Sequence, residues 1–371
     1  MWLRRSLAPL AVLLLTTSCS DDPSTCRVSP LETISRSLGD ATVQIDSDPV
    51  GYLVVWGGRD RGTDDARTGL FAARPGEPPV TLRAGVDARA VTMIRAGNGH
   101  LICWQGQQGG CVQIGPRLAV LPATGAPSER VESLGLIGGQ LHALGRDATG
   151  ASTLLVAVDA GGVPQGEGHV VPCALGPRVS YAWGAPGLGC LVLADPSCVG
   201  RTCQHDLVIL DGDGAEVQRV PDVAPAFRQT DELVPTQVGL AASGGFLVTW
   251  GDVDGGKARP IAADGTPGAV VALAAEVDHV QALGTGYLYV HGEVTDDDAY
   301  NFLRLGRLAA DGSAVGEPFV AASPEGELHF QDASSLVATV AVDGTLGVAY
   351  STSTNIGGDD FVVFRNLGCA H

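Results

Sequence analysis

The stretch GDVDGGKA at residues 251–258 places Gly251, four residues, then Gly256 and Lys257, almost the spacing with which a glycine-rich loop cradles phosphate. A phosphate loop follows its Lys with Ser or Thr to hold magnesium and then opens a helix, whereas Ala258, Arg259 and Pro260 follow here. LDGDGAE at 210–216 starts as a calcium loop does, with Asp211 and Asp213 at alternate positions, but the further oxygen ligands that calcium needs are missing. Denser carboxylates occur elsewhere: Asp60, Asp64 and Asp65; Asp252 and Asp254; Asp296, Asp297 and Asp298; Asp359 and Asp360. Of these, Asp252, Asp254, Asp296, Asp297 and Asp298 are assigned to a candidate Ca2+ site, with solvated loop carboxylates as the alternative. The eight His form no H-E-x-x-H, no Ser lies in G-x-S-x-G, and no two Cys form C-x-x-C. No catalytic residue is assigned.

The elements that carry these residues repeat. GGFLVTWGDVDGGKARPIAADGTPG from Gly244 aligns with GYLVVWGGRDRGTDDARTGLFAARPGE from Gly51 and with TGYLYVHGEVTDDDAYNFLRLGRLAADGSAVG from Thr285. Each has a Gly, an alternating apolar strand, an Asp- or Gly-rich loop, a second strand and a Pro-Gly or Asp-Gly turn. The near-phosphate loop therefore falls where its siblings have hairpin loops, and Lys257 reads as a loop Lys. Weaker copies start at Asn98, Gly138, Gly187 and Asp343, which makes seven units. Apolar segments between them, such as ATVQI at 41, RAVTMI at 89, VQALG at 280 and LVATVAV at 336, supply a further strand to each. Four strands in forty to fifty residues is the period of a β-propeller blade. The expected fold is all-β: a seven-bladed propeller of four-stranded antiparallel blades over residues 31–371, with two stacked sandwiches as the alternative.

Composition agrees. With 51 Gly, 22 Pro and 5% aromatics in 371 residues, turns are frequent and helices few. His291 aligns with Trp56, Trp104 and Trp250 and reads as a packed strand residue. Asp211-Gly212, Asp264-Gly265 and Asp311-Gly312 recur at one position, so LDGDGAE is a hairpin turn. Successive turns of a meander alternate between faces, which brings the Asp-rich second-to-third-strand loops to one face of the disc.

A ring must close. The last unit shows LVATVAV, LGVAYS and FVVFRNL but no fourth strand, while LETISRSL at 31–38 has no place in the first unit and is the expected closing strand. Antiparallel pairing of the two would bring Cys26 beside Cys369. Cys103 and Cys111 flank one hairpin loop, Cys198 and Cys203 close CVGRTC, and Cys173 and Cys190 are left to each other.

The first residues, MWLRRSLAPLAVLLLTTSC, combine Arg4 and Arg5, an apolar run from Leu7 to Leu15 and small residues before Cys19. This segment resembles bacterial lipoprotein precursors, and the resemblance implies cleavage before Cys19, a lipid on its thiol and a tether over 19–30. Ordinary secretory cleavage, with Cys19 as a disulfide partner, is the alternative. Setting Cys19 aside leaves eight Cys, an even set suited to an oxidising compartment. In that family Asp after the Cys retains the protein at the inner membrane, so Ser20 implies the outer membrane.

The net charge of −18 argues against nucleic acid and anionic membrane surfaces as partners. The expected protein is a monomeric, non-catalytic, lipid-anchored envelope propeller that binds a protein or glycan through its loops. A glycan hydrolase with its site at the central funnel is one alternative. VAVDGTLGVAYS at 340–351 faintly resembles the Asp boxes of sialidase-like propellers but lacks their Ser, spacing and Trp. An outer-membrane assembly scaffold, resembling propeller lipoproteins that help insert barrels, is the other.

Overall fold

The structure, a computed structural model, describes residues 29, 32–38, 42–60, 67–88, 90–106, 109–121, 130–175, 181–198, 200–228, 239–252, 255–273, 277–294, 300–322, 328–329, 336–342, 344–354 and 359–367. Segments in which apolar and small or polar residues alternate, bounded by Asp-Gly, Gly-Gly or Pro, form the strands.

Strand β1 (Glu32–Leu38) precedes the first blade, which is β2 (Val43–Asp48), β3 (Gly51–Asp60), β4 (Arg67–Ala73) and β5 (Val80–Ala84). The second blade is β6 (Ala90–Ala96), β7 (Gly99–Gln105) and β8 (Gly110–Ile114). Among the described residues its fourth strand is represented by a bridge between Ile114 and Val120 and by the Leu121 N–H donated to the Gln113 carbonyl. The third blade is β9 (Arg130–Ile137), β10 (Gln140–Arg146), β11 (Thr153–Ala157) and β12 (His169–Val171). The fourth is β13 (Tyr181–Gly184), β14 (Gly187–Leu193), β15 (Gly200–Leu210) and β16 (Glu216–Arg228). The fifth is β17 (Gly239–Ser243), β18 (Gly245–Asp252), β19 (Gly255–Ile261) and β20 (Val271–Ala272). The sixth is β21 (His279–Leu283), β22 (Gly286–Val294), β23 (Tyr300–Leu308) and β24 (Ala314–Ala322). A short β25 (Leu328–His329) leads into the seventh, β26 (Val337–Val340), β27 (Leu346–Thr354) and β28 (Asp359–Leu367).

Within each blade, neighbouring strands pair antiparallel in chain order. The first strands stand next to one another around the centre, β2 by β6, β6 by β9, β9 by β13, β13 by β17, β17 by β21 and β26 by β2. Seven apolar clusters fill the seven gaps between blades. Leu53 and Val55 meet Ile102 and Trp104, for example, and Leu288 and Val290 meet Val348 and Tyr350. Each fully buried Leu or Val adds about 1.5–3 kcal/mol, so the ring stands chiefly on these interfaces. The fold is a seven-bladed β-propeller.

Strand β1 completes the last blade. It pairs antiparallel with β28, Glu32 opposite Phe364 and Leu38 opposite Asp359, and Ile34 is buried with Val362 and Phe364. At its far end Ser37 and Leu38 also pair with Asp60 and Arg59 of β3, which ties the last blade to the first. Beyond β1, the Ser29 N–H donates to the Asn366 carbonyl and the Asn366 N–H to the Ser29 hydroxyl, both at 2.9 Å.

The disc has two faces. The turn face carries the first-to-second and third-to-fourth strand turns; the loop face carries the second-to-third strand connections and the links between blades. Glu32 lies at the turn face, where its carboxylate accepts the Gly76 N–H of the β4–β5 turn.

Candidate functional site

The strands bring the Asp-rich segments to the loop face. Strands β3, β18, β22 and β27 all end there, at Asp60, Asp252, Val294 and Thr354, and their partners begin there at Arg67, Gly255, Tyr300 and Asp359. The backbone of Asp252 pairs with Gly255. Asp254, Asp296, Asp297 and Asp298 lie outside the described residues, as do Asp64 and Asp65. Among the described residues, no group of three or more His, Cys, Asp or Glu could hold a metal ion.

GDVDGGKA is a hairpin, as its siblings are. Trp250 pairs with Lys257 and Gly251 with Gly256, so no helix N-terminus is available to phosphate. Lys257 itself is in strand β19, between Trp250 and Ala272, not in the loop. The apolar alternation of β18 is strong enough to carry its partner's ladder past the two glycines. The turn reading of LDGDGAE also fits the geometry. The Asp211 carboxylate accepts the N–H groups of Asp213 and Ala215 at 3.0 and 2.9 Å, and the Asp159 and Asp311 carboxylates hold their own turns in the same way. The Ser313 hydroxyl and amide hold the Asp311 carboxyl below its ordinary range. His291 pairs with Arg304 and is half-buried, whereas Trp56, Trp104 and Trp250 are buried.

Several ionised groups on the inner strands have partners within the fold. Asp46 Oδ2 lies 2.9 Å from His100 Nε2 and 3.9 Å from Arg95 Nε. Glu132 accepts from Arg146 Nε at 2.9 Å. Asp48 and Arg74 form a buried pair: Nη2 donates to Oδ2 at 2.6 Å, Nη1 to Oδ1 at 3.1 Å, and Nη2 also to the Pro116 carbonyl at 2.8 Å. Burial, the largest single influence, pushes the Asp48 carboxyl up. The Arg74 hydrogen bonds and charge and the Val50 and Gly51 amides outweigh it, leaving the group below its ordinary 3.8.

The turn face opens clefts between blades. One of about 520 Å3 lies between the first and second blades and one of about 460 Å3 between the sixth and seventh. The cleft between the third and fourth blades, about 480 Å3, is lined by polar side chains. Gln140 and His142 come from β10, Glu167 and His169 from the outer edge of the third blade, and Asp211 and Asp213 from the β15–β16 turn. The interface beneath is held by Trp183, whose indole lies against Gly135 and donates to the Ser133 hydroxyl at 2.7 Å.

Hairpin register shows what is unusual about this cleft. The residue opposite the end of the first strand is Gly51, Gly99, Gly187, Gly245 or Gly286 in five blades, and Gln140 in the third. At Gly99, Gly187 and Gly286 a Cβ would come within 2.3 Å of a carbonyl oxygen at the end of the third strand, which explains the preference. Two residues further on, facing the next blade, stand Leu53, Leu101, Leu247, Leu288 and Gly189 in those five blades, and His142 in the third; in the seventh, Leu346 is opposite the end of the first strand and the residue two further on is Val348, which packs toward the sixth blade. His142 is only 2% exposed. Sequence reasoning passed over His142 because matching Gly138-Gly139 to Gly244-Gly245 by letter sets it under Val248. Both Gly138 and Gly139 are in the turn of the third blade, but only Gly244 is in that of the fifth. One residue of slip exchanges the two sides of a blade.

The structure joins Cys103 to Cys111, Cys173 to Cys190 and Cys198 to Cys203. Cys103 and Cys111 are directly opposite in β7 and β8. The Cys173–Cys190 bond crosses from the third blade to the fourth, beneath the polar cleft. Cys19, Cys26 and Cys369 lie outside the described residues.

No protein-family model and no curated protein sequence matches this chain. Among solved structures, an acylaminoacyl peptidase from Pyrococcus horikoshii is 11% identical, with a TM-score of 0.51, over 92% of this chain and 53% of the peptidase. The chain thus spans about half of that enzyme's length. The β-propeller domain of the Trilobed protease from Pyrococcus furiosus is 10% identical over 90% of this chain and 94% of that domain, with a TM-score of 0.49. A quinonprotein alcohol dehydrogenase-like protein from Bacteroides thetaiotaomicron is 12% identical over 76% of this chain and 67% of its own, with a TM-score of 0.46. At these identities the likeness is one of fold alone.

Proposed function

We propose that the protein is an exported, lipid-anchored propeller of the bacterial outer membrane that binds a protein or glycan partner and catalyses no reaction. The observation that carries this reading is the disulfide set, two bonds within blades and one between blades, in a ring whose first strand begins on the turn face. Such bonds persist in an oxidising compartment. Thirteen steps of chain from Cys19 to Glu32 reach about 45 Å at most, so an anchored Cys19 would hold the ring within that distance of the bilayer, on a tether that joins it at the turn face. The pairing of Asp46, Asp48, Arg95 and Glu132 supports recognition over chemistry at the centre, since each is already satisfied within the fold.

The anchor is tested by labelling cells with a palmitate analogue. The native protein is expected to take up label and to fractionate with the outer membrane, and Cys19→Ala is expected to take up none. Equal labelling of the two would overturn the anchor, and co-fractionation with inner-membrane markers would overturn the location.

The acidic loop face is tested by calcium. Millimolar calcium is expected to raise the unfolding midpoint by a few degrees, because a cation bound only by the folded state stabilises it by mass action. The triple substitution of Asp296, Asp297 and Asp298 by Asn is expected to remove that rise. A native midpoint indifferent to calcium would leave these carboxylates as solvated loop residues.

A further inference from the structure

We infer that the cleft between the third and fourth blades is a recognition site for the guanidinium group of an arginine presented by a partner protein. His142 sets its chemistry. Nδ1 lies 3.0 Å from the Gln140 carbonyl, which only accepts, so in the neutral ring Nδ1 carries the proton and Nε2 the lone pair. Nε2 has no hydrogen-bond partner among the described residues; it faces the cleft beside Gly212, where a Cβ would stand 3.0 Å from it.

A largely buried imidazole whose one acceptor opens into a cleft stands where four other blades carry a Leu that would only pack. What the cleft offers is a set of acceptors. Glu167 of the third blade and Asp211 and Asp213 of the fourth line the same cleft as His142, and neither Lys nor Arg is among the described lining residues. Among the described lining residues there is no Trp, Tyr or Phe, the side chains on which a sugar ring stacks, and this disfavours a sugar. A bare metal ion is disfavoured because the donors do not converge on one point. Guanidinium has five N–H donors spread over a plane, no acceptor and a fixed charge, so it matches acceptors that are dispersed over two walls of a cleft.

The mature full chain would be titrated calorimetrically with N-acetyl-arginine amide, its neutral citrulline counterpart, spermidine and the peptide acetyl-Gly-Arg-Gly amide. The arginine probes are expected to bind at least tenfold more tightly than citrulline and more tightly than spermidine. His142→Leu restores the residue of four sibling blades and is expected to weaken arginine binding at least tenfold with no loss of thermal stability. Gly212→Ala keeps His142 but sets a methyl group against Nε2, and is expected to weaken binding similarly. Equal binding of arginine and citrulline, or unchanged binding by a folded His142→Leu protein, would overturn the site. Tighter binding of spermidine than of the peptide would overturn the partner-protein assignment. Palmitate labelling and fractionation involve neither residue, so failure here would be separable from failure of the envelope reading.

Discussion

Deletion of residues 26–38 is expected to open the ring. The protein should lose its β1–β28 ladder, unfold at a lower temperature and aggregate, because the deletion uncovers the whole edge of β28 and the apolar side chains that Ile34 helps to cover. A milder form of the experiment isolates the covalent part. The hydrogen bonds between Ser29 and Asn366 carry the pairing outward toward Cys26 and Cys369, and a bond between those two would close a loop of 343 residues (369 − 26). The chain-entropy account gives such a link about 6 kcal/mol, less to the extent that strand pairing already restrains both ends. Cys26→Ser with Cys369→Ser is therefore expected to lower the unfolding midpoint while preserving the strand signal in circular dichroism. A non-reducing digest that finds Cys369 free would refute the bond. A deletion variant that stays soluble with an unchanged midpoint would refute the closure itself.

Arg74→Ala is expected to cost about 3–5 kcal/mol, because it leaves the Asp48 carboxylate buried and without its partner. The same change strips a donor from the Pro116 carbonyl, which belongs to the neighbouring blade, so the loss should be felt across an interface. Replacing Asp48 and Arg74 together by Leu and Met should recover most of the loss, since an apolar pair leaves no charge behind. The pH dependence has a definite sign. The folded-state pKa of Asp48 is depressed, so its contribution is present above the ordinary value of 3.8 and is lost as pH falls through the lower folded value. Urea unfolding should thus show the gap between native protein and Arg74→Ala narrowing in acid. A gap below about 1 kcal/mol at pH 7, the size of an exposed ion pair, would show that the pair is not effectively buried.

What could be read from the sequence was whatever local rules determine. The hairpins around GDVDGGKA and LDGDGAE follow from turn residues and alternation, and the closing role of LETISRSL follows from counting strands in the last unit. Lys257 reads as a loop residue and lies in strand β19 instead, because ladders run past glycines when the partner strand is apolar enough. The pairs Asp48–Arg74 and Asp46–His100 were invisible, since they join residues 26 and 54 apart on different strands. His142 was hidden by a single residue of turn length, although the repeat itself held the signal: a polar residue where five siblings are Leu or Gly and the sixth is Val. In a repeat protein the sibling blades serve as an internal comparison, provided that they are aligned by hydrogen-bond register and not by letters.

The pairing of β1 with β28 also sets an order of assembly. Glu32 meets Phe364 across 332 residues of chain (364 − 32), the longest separation that any strand pair here must close. Contacts so remote in sequence form late and slowly, because the entropy of closing the intervening loop has to be met before the pairing returns anything. Each four-stranded meander can nucleate from its own short hairpins, so the blades can form one after another while the closing strand waits. The strand made first is thus the one placed last, and until Leu367 has been made its edge is open to pairing with another chain.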